Sequence, residues 1–116
     1  MKSKELVQEI CKVIAAKKGE NIVLINLEGI SLLADYFIIC NGNSRVQTQA
    51  IADYLEKEMS QQGLFLERRE GYTEGCWILQ DYGSIIVHIF LTETREFYNL
   101  ERLWGDAEII QYREKV

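Results

Sequence analysis

The chain has 116 residues, 47% of them hydrophobic, and its 13 basic and 18 acidic side chains leave a net charge of −5. This length and apolar content allow one domain to bury a core without disulfides or metals, so residues 1–116 are predicted to form a single domain. The negative charge disfavours binding to phosphates, and direct sequence-specific contact with nucleic acid is not expected. A basic protein is the partner that this charge favours.

The cysteines and the apolar runs indicate the cellular compartment in which the protein is expected. Cys11, Cys40 and Cys76 are widely scattered, form no CxxC pair and each lie in an apolar run. This usage is typical of small core residues in a reducing compartment. The N-terminal stretch mixes charged with apolar residues, and no later run approaches the roughly 18 apolar residues of a membrane span. The sequence therefore predicts a cytoplasmic protein without membrane contact.

The first third of the chain is predicted to form one helix and two strands. Apolar residues recur at helical spacing from Leu6 to Ile14, and the sequence KKG at 17–19 is a helix stop. The apolar runs at 22–27 and 36–40 are typical of strands buried within a sheet.

A second helix is predicted in the middle of the chain. Ser44 and Gln47 have the spacing of a capping box, which predicts a helix from this point to about Gln62. Asp53 and Glu56 are expected on its solvated face. Its predicted apolar stripe consists of Val46, Ala50, Ile51, Tyr54 and Leu55.

The second half of the chain is predicted to be rich in strands. Strands are expected at 64–69, 76–80 and 85–91. The last two form a hairpin around a turn at 81–84, and a final helix capped by Thr92 or Thr94 continues through Trp104. Three helices and five strands, interleaved early and with a hairpin late, predict an α/β fold with a single mixed β-sheet.

The predicted hairpin has two faces of different character. A turn at 81–84 places Trp77 opposite His88. The aromatic face then carries Trp77, Leu79, Ile86, His88 and Phe90, and the aliphatic face carries Ile78, Val87 and Ile89. The aliphatic face is the natural core. The aromatic face must meet the final helix, solvent or another protein, and a protein partner explains its composition most economically.

His88 is the only histidine, so any Ser/His/Asp or Cys/His scheme would need it as the base. It lies among bulky apolar residues of a strand, where a lone histidine is more often structural or part of an interface. Cys76 would project from the opposite face of the sheet. The cysteines and the histidine also lack the close spacing of a zinc site. The chain is therefore predicted not to be an enzyme, with no catalytic residue, metal or cofactor.

The turn Gly42-Asn43-Ser44 offers an alternative, because a glycine-serine turn before a helix can bind phosphate, as in nucleotidyl transferases. Those enzymes also need carboxylates on a neighbouring strand to hold a divalent metal, whereas Asp53 and Glu56 fall on the helix itself. No Walker-type lysine or GxGxxG is present. A plain capped turn is favoured, and a vestigial nucleotidyltransferase or nucleotide-binding enzyme is the alternative function.

Acidic side chains surround the predicted hairpin. They are Glu67, Glu70, Glu74 and Asp81, mixed with Arg68 and Arg69. One interpretation is a solvated surface. The other is an acidic rim around an apolar centre, as at protein interfaces, which would steer a basic partner towards it. Arg95 and Glu101 are either part of such a rim or local salt-bridge partners, and the sequence leaves both interpretations open.

Four segments carry a resemblance to a known family: DYFIICNGNS at 35–44, EG at 70–71, WILQDYGSIIVHIF at 77–90 and REFYNLERLWGDA at 95–107. In this order and spacing they resemble the Iojap-related ribosomal silencing factors (RsfS) over nearly the whole chain. The resemblance implies a nucleotidyltransferase-like topology without the catalytic carboxylates. It also implies a repressor that binds the large ribosomal subunit through its basic protein fourteen and blocks subunit joining when nutrients are scarce. Members of the family can also form homodimers.

The resemblance places the docking surface on the hairpin and its approach. The candidate partner-binding residues are Trp77, Leu79, Asp81, Tyr82, His88 and Phe90. Trp77 is predicted to be the anchor, because a large amphipathic ring in the centre of a patch commonly dominates binding, and its truncation typically costs about 2 kcal/mol or more. Ser84 stands where many relatives carry an acidic residue, which slightly weakens the case for charge at this turn.

Overall fold

The computed structural model describes residues 3–113 and contains a six-stranded sheet with helical segments on both faces. In chain order the elements are α1 (Ser3–Ala16), β1 (Glu20–Asn26), β2 (Tyr36–Gly42), α2 (Arg45–Gln61), β3 (Arg68–Glu70), β4 (Trp77–Asp81), β5 (Ile85–Leu91), α3 (Thr92–Tyr98), a 3₁₀ helix (Leu100–Trp104) and β6 (Glu108–Gln111). The strand order is β3-β4-β5-β2-β1-β6, with β2 and β5 parallel and all other neighbours antiparallel. The predicted α/β class with one mixed sheet is confirmed.

Both edges of the sheet differ from the sequence-based prediction. The edge strand β6 was not expected, and it pairs with β1 so that Ile109 lies opposite Ile25. All four of its residues are exposed, so it lacks the alternation of buried and exposed positions that identifies a strand in a sequence. At the other edge, the strand expected at 64–69 is reduced to β3, because Leu64 and Leu66 pack against the core instead of pairing.

Helices α1 and α2 cover one face of the sheet. Between helices and sheet lie Ile10, Ile14, Leu55, Ile38 and Ile89, all fully buried. Each such side chain contributes about 1.5–3 kcal/mol when it leaves water, so this layer fixes the position of the central strands. Within residues 3–113, no helix combines the length and the hydropathy that a membrane span requires.

Two of the three cysteines lie in this core as predicted. Cys11 and Cys40 are fully buried, and burial raises the pKa of each thiol to about 12, so both are protonated apolar side chains at neutral pH. Cys76 is only half-buried, just before β4, and its prediction as a core residue is wrong.

The predicted cap of α2 is present, but only half of the capping box forms. Ser44 Oγ accepts a hydrogen bond from the Gln47 backbone N–H at 3.1 Å. The Gln47 side chain does not return to the cap, because its Nε2 donates to the Lys17 carbonyl at 2.6 Å. This bond ties the start of α2 to the end of α1.

The predicted apolar stripe of α2 is partly wrong. Val46 is 77% exposed. The buried positions are Thr48, Ile51, Ala52, Leu55 and Met59. Thr48 is buried because its hydroxyl donates to the Gly75 carbonyl at 2.7 Å, so α2 packs against the loop at 71–76 as well as against the sheet.

The predicted final helix is broken into two pieces. Asn99 adopts a left-handed conformation with a φ of 45° and separates α3 from the 3₁₀ helix. The N-cap of α3 is Leu91, so neither Thr92 nor Thr94 is the cap. The Thr92 hydroxyl instead bonds the C-terminal end of β2, where it accepts from Asn41 Nδ2 at 3.1 Å.

The hairpin has the predicted faces but a different register. Trp77 lies opposite Phe90, and His88 lies opposite Leu79. The Tyr82 N–H donates to the Ile85 carbonyl, which shortens the loop to Gly83 and Ser84 and shifts the pairing by two residues. Because side chains alternate with a period of two, this shift changes the partners and keeps every side chain on its predicted face.

Candidate functional site

The second face of the sheet has a core of its own beneath the C-terminal elements. Its buried residues include Phe37, Ile39, Ile86 and Phe90. Trp104 of the 3₁₀ helix packs edge-on against Phe37, with 5.8 Å between ring centroids. The final helical segment therefore covers part of the aromatic face, and Trp77 and Leu79 are left half-buried beside it.

Trp77 is held in place by three contacts. Its ring centroid lies 4.9 Å from that of Phe90 on the neighbouring strand and 4.9 Å from that of Tyr98 on α3. Its Nε1–H donates to His88 Nδ1 at 3.1 Å. The ring is half-buried, so it is ordered and still meets solvent. A fixed, partly exposed aromatic ring is suited to anchor a protein partner.

His88 is 4% exposed, and burial lowers the pKa of its imidazole to about 4, so the ring is neutral at physiological pH. Since Nδ1 accepts from Trp77, Nε2 carries the proton. Neither ring nitrogen bonds a carboxylate or a thiol, and Cys76 instead lies 3.8 Å from the Glu74 carbonyl. The geometry offers no catalytic pair at this histidine.

The structure divides the six candidate partner-binding residues into three groups. Trp77, Leu79 and Asp81 are half-buried on β4 and reach the surface. His88 and Phe90 are buried beneath Trp77 at 4% and 0% exposure, so they support the surface without forming it. Tyr82 is buried on the opposite face, in the core under α1 and α2, and burial raises the pKa of its phenol.

Two aromatic residues of α3 join Trp77 at the surface and were missing from the sequence-based set. Tyr98 contacts Trp77 and is 52% exposed, and Phe97 packs edge-on against Tyr98 and is 81% exposed. The sequence signal for them is the adjacent Phe-Tyr pair in the predicted final helix. A continuous helix through Trp104 does not place this pair beside Trp77, and the break at Asn99 does. We call the set Trp77, Leu79, Phe97 and Tyr98 the Trp77 surface.

An open groove of about 350 Å³ borders the Trp77 surface and is lined by Glu70, Gly71, Trp77 and Leu79. The loop that forms one wall is held by α2, where Gln49 Nε2 donates to the Tyr72 carbonyl at 2.8 Å. Helix α2 thus positions the approach to β4 from the opposite side of the sheet.

The charged residues near the groove form local pairs. Arg68 binds Glu70 at 3.0 Å, and both are 58% exposed. Arg69 binds Glu56 at 2.9 Å and Asp53 at 3.5 Å, which joins β3 to α2. Exposed pairs of this kind contribute at most about 1 kcal/mol, so Glu70 remains available to a partner.

Arg95 is a structural residue rather than part of a rim. Its side chain is 12% exposed and binds Glu101 at 3.3 Å and Asn41 Oδ1 at 2.8 Å. Of the two interpretations left open by the sequence, the local salt bridge is confirmed. It holds α3 and the 3₁₀ helix against the end of β2.

The glycine-serine turn is packed against other parts of the chain. Gly42 is buried, its carbonyl accepts from Thr92 Oγ1 at 3.3 Å, and a Cβ at this position would lie 2.9 Å from the Gln47 side chain. Asp53 and Glu56 point to Arg69. Among the residues that the structure describes, no group of three His, Cys, Asp or Glu side chains is placed to hold a metal ion.

Two bacterial proteins of known structure share this fold. A crystal structure of a Bacillus halodurans protein matches with a TM-score of 0.84 and 42% identity, covering 95% of this chain and 100% of that one. One of a Chromobacterium violaceum protein matches with a TM-score of 0.88 and 28% identity, covering 90% of this chain and 88% of that one. The mixed sheet with helices on both faces is thus a fold shared with these bacterial proteins.

Sequence comparison then gives the family. The family model described as "Ribosomal silencing factor during starvation" matches residues 1–116. The ribosomal silencing factors of Halalkalibacterium halodurans and Bacillus subtilis are 46% and 44% identical, over 96% and 88% of this chain and 95% and 90% of their own lengths. The chain belongs to the ribosomal silencing factor family, whose names support translation regulation and association with the ribosome. A mouse relative, "Mitochondrial assembly of ribosomal large subunit protein 1", is 32% identical over 76% of this chain and 40% of its own length.

Proposed function

We propose that this chain binds the large ribosomal subunit through its protein fourteen and prevents the small subunit from joining, which represses translation when nutrients are limiting. It acts as one domain of residues 1–116 in the cytoplasm, by occupancy and without catalysis, metal or cofactor. The observation that carries this proposal is the ordered, half-buried ring of Trp77 within the Trp77 surface.

The chemistry of this surface suits a basic protein partner. Its centre is apolar, with Phe97 81% and Tyr98 52% exposed. Glu70 lies at the edge of the adjoining groove, and the whole chain carries a net charge of −5. An apolar centre with an acidic margin provides affinity through burial and orientation through charge. The mouse relative is named for assembly of the large ribosomal subunit, which supports the choice of that subunit.

The proposed mechanism is steric. The described part of the chain measures 35 × 34 × 33 Å along its principal axes. A body of this size, seated on the face of the large subunit that meets the small subunit, fills space that joining requires. Inhibition then follows the fraction of large subunits occupied and needs no turnover.

Replacement of the anchor tests the proposal. We expect Trp77→Ala to weaken binding to purified large subunits by about 30-fold or more, as truncation of a central aromatic anchor typically does, and to relieve the block on subunit joining. Val46→Ala is the matched control, because Val46 is an apolar residue of α2, on the opposite side of the sheet, and is 77% exposed. Wild-type co-sedimentation by a folded Trp77→Ala variant would overturn the proposal.

Self-association is a second expected use of the same surface. A homodimer that buries the Trp77 surface would compete with the ribosome for it. Equilibrium sedimentation with and without the ribosomal protein, repeated with Trp77→Ala, tests whether dimer formation and binding use the same surface. The nucleotide-binding alternative is not adopted, because the carboxylates that it needs are paired with Arg69.

A further inference from the structure

We infer that His88 is a positioning residue for Trp77: its neutral imidazole accepts the indole N–H and fixes the orientation in which the ring meets a partner. The inference rests on the proposed function, because it assigns a role to a buried residue of the same surface. It gives His88 no direct contact with the ribosome.

The geometry places His88 beneath the indole and out of reach of a partner. His88 is 4% exposed, and its ring centroid lies 4.6 Å from that of Phe37 and 6.3 Å from that of Phe90. The bond from Trp77 Nε1 to His88 Nδ1 runs diagonally across the strand pair, since Leu79 is the residue directly opposite His88. Any effect of His88 on binding therefore passes through Trp77 or through the fold.

Packing alone does not account for a histidine at this position. Its neighbours are aromatic and apolar, and its Nε2–H has no hydrogen-bond partner within residues 3–113. A buried unpaired N–H destabilises a fold, so packing by itself favours leucine or phenylalanine. What an apolar side chain cannot supply is an acceptor for the indole N–H. The acceptor is the feature that distinguishes His88 from a plain core residue.

Fixing the indole improves binding by lowering the conformational entropy that is lost on association. Phe90 and Tyr98 hold the ring by apolar contacts, which resist displacement but permit sliding and rotation. The hydrogen bond adds direction, because it weakens steeply as the donor leaves the line to the acceptor. A side chain already held in its bound orientation loses less freedom when the partner arrives.

The first part of the experiment measures the free protein. In ¹H–¹⁵N NMR spectra, the indole N–H resonance of Trp77 is assigned by its disappearance in Trp77→Phe, which separates it from that of Trp104. We expect His88→Phe, which removes the acceptor, to shift this resonance upfield and to accelerate its exchange with water. His88→Asn places a carboxamide oxygen where Nδ1 was and is expected to restore both values towards wild type.

The second part measures binding to purified large subunits. We expect His88→Phe to weaken binding about three- to tenfold, the amount that one hydrogen bond is typically worth, and His88→Asn to recover most of it. Trp77→Phe keeps a ring and removes the donor, so it is expected to lose a similar amount. In the Trp77→Phe background His88→Phe should then have no further effect. If His88→Phe proves too unstable to purify alone, His88→Leu, which also lacks an acceptor, takes its place in both measurements.

The outcomes separate the inference from the proposed function. An indole resonance that does not respond to His88→Phe overturns the positioning role, whatever the binding data. Equal losses of binding affinity from His88→Phe in the wild-type and Trp77→Phe backgrounds also overturn it. The effect of His88 would then not depend on the indole N–H. A responsive resonance together with unimpaired binding by Trp77→Ala overturns the proposed docking surface, and the role of the bond in docking falls with it.

Discussion

At the scale of single residues, His88 makes stability depend on pH. Burial lowers the pKa of its imidazole from 6.5 to about 4, so the unfolded chain takes up a proton in a range where the folded chain does not. Above pH 6.5 His88 does not reduce the free energy of unfolding. As the pH falls from 6.5 towards 4, protonation of the unfolded chain lowers this free energy progressively. Between pH 7.5 and pH 5 this single group is expected to reduce the free energy of unfolding by about 2 kcal/mol.

Chemical denaturation at the two pH values measures this effect. His88 is the only histidine, so the non-titrating variant His88→Asn serves as the control. The difference between the two proteins isolates the contribution of the imidazole. An equal loss of stability in the two proteins would contradict a buried neutral histidine.

Gly71 illustrates how one residue shapes the groove beside Trp77. Its φ is 79°, and a Cβ at this position would collide with the Trp77 carbonyl oxygen. Gly63 has a φ of 84° and nothing within 4 Å of the place that a Cβ would take, so it is a matched control with the same backbone requirement. In both alanine variants the left-handed backbone conformation lowers the free energy of unfolding by about 1 kcal/mol. We expect Gly71→Ala to lose at least about 2 kcal/mol more in urea denaturation, and equal losses would count against the described close approach.

At the scale of elements, α2 supports the loop beside the Trp77 surface from the far face of the sheet. The Thr48 hydroxyl donates to the Gly75 carbonyl at 2.7 Å in a buried site, which ties the loop at 71–76 to the helix. Thr48→Val keeps the shape and removes the donor. We expect it to lower the free energy of unfolding by about 1–3 kcal/mol and to accelerate amide exchange in the loop.

Thr48→Ser is the companion variant, because it retains the hydroxyl and removes only a methyl group. Its amide exchange in the loop should remain close to wild type. Acceleration of the same size in both variants would mean that packing, and not the hydrogen bond, holds the loop.

Local signals in the sequence predicted most elements, and tertiary contacts decided the rest. The Ser44 cap and the two faces of the hairpin follow from side-chain chemistry and from a period of two, which are properties of neighbouring residues. The break at Asn99 and the strand β6 depend on residues distant in sequence, and no periodic pattern marks them. Elements that bury a stripe could be predicted, whereas exposed ones at the edge could not.

The candidate site shows the same division. Trp77 was predicted because its ring lies in a strongly alternating strand, and it is the residue at which the surface forms. Tyr98 was missed because its contact with Trp77 depends on how α3 folds back over the sheet. Tyr82 shares the hairpin with Trp77 but is buried on the opposite face, which the residue parity of its strand already implied.

At the scale of the whole molecule, the excess of negative charge should govern how fast a basic partner is found. The net charge of −5 acts at long range, and its reach falls to about 10 Å at 0.1 M salt. Apolar contacts at the Trp77 surface act only after encounter. We therefore expect salt to lower the association rate constant for isolated protein fourteen, the proposed basic partner, and Trp77→Ala to raise the dissociation rate constant.

The position of a charge should matter as well as the total. Glu70 lines the groove beside Trp77, whereas Glu5 is an exposed residue of α1 on the opposite side of the sheet. Glu70→Gln and Glu5→Gln change the net charge equally. Stopped-flow measurements at low salt are expected to show association slowed about two- to threefold by Glu70→Gln and nearly unchanged by Glu5→Gln. Equal slowing by the two variants would assign steering to the total charge alone. An association rate that responds to neither variant nor to salt would contradict a basic partner. Attraction between opposite charges has to weaken when either charge is removed or screened.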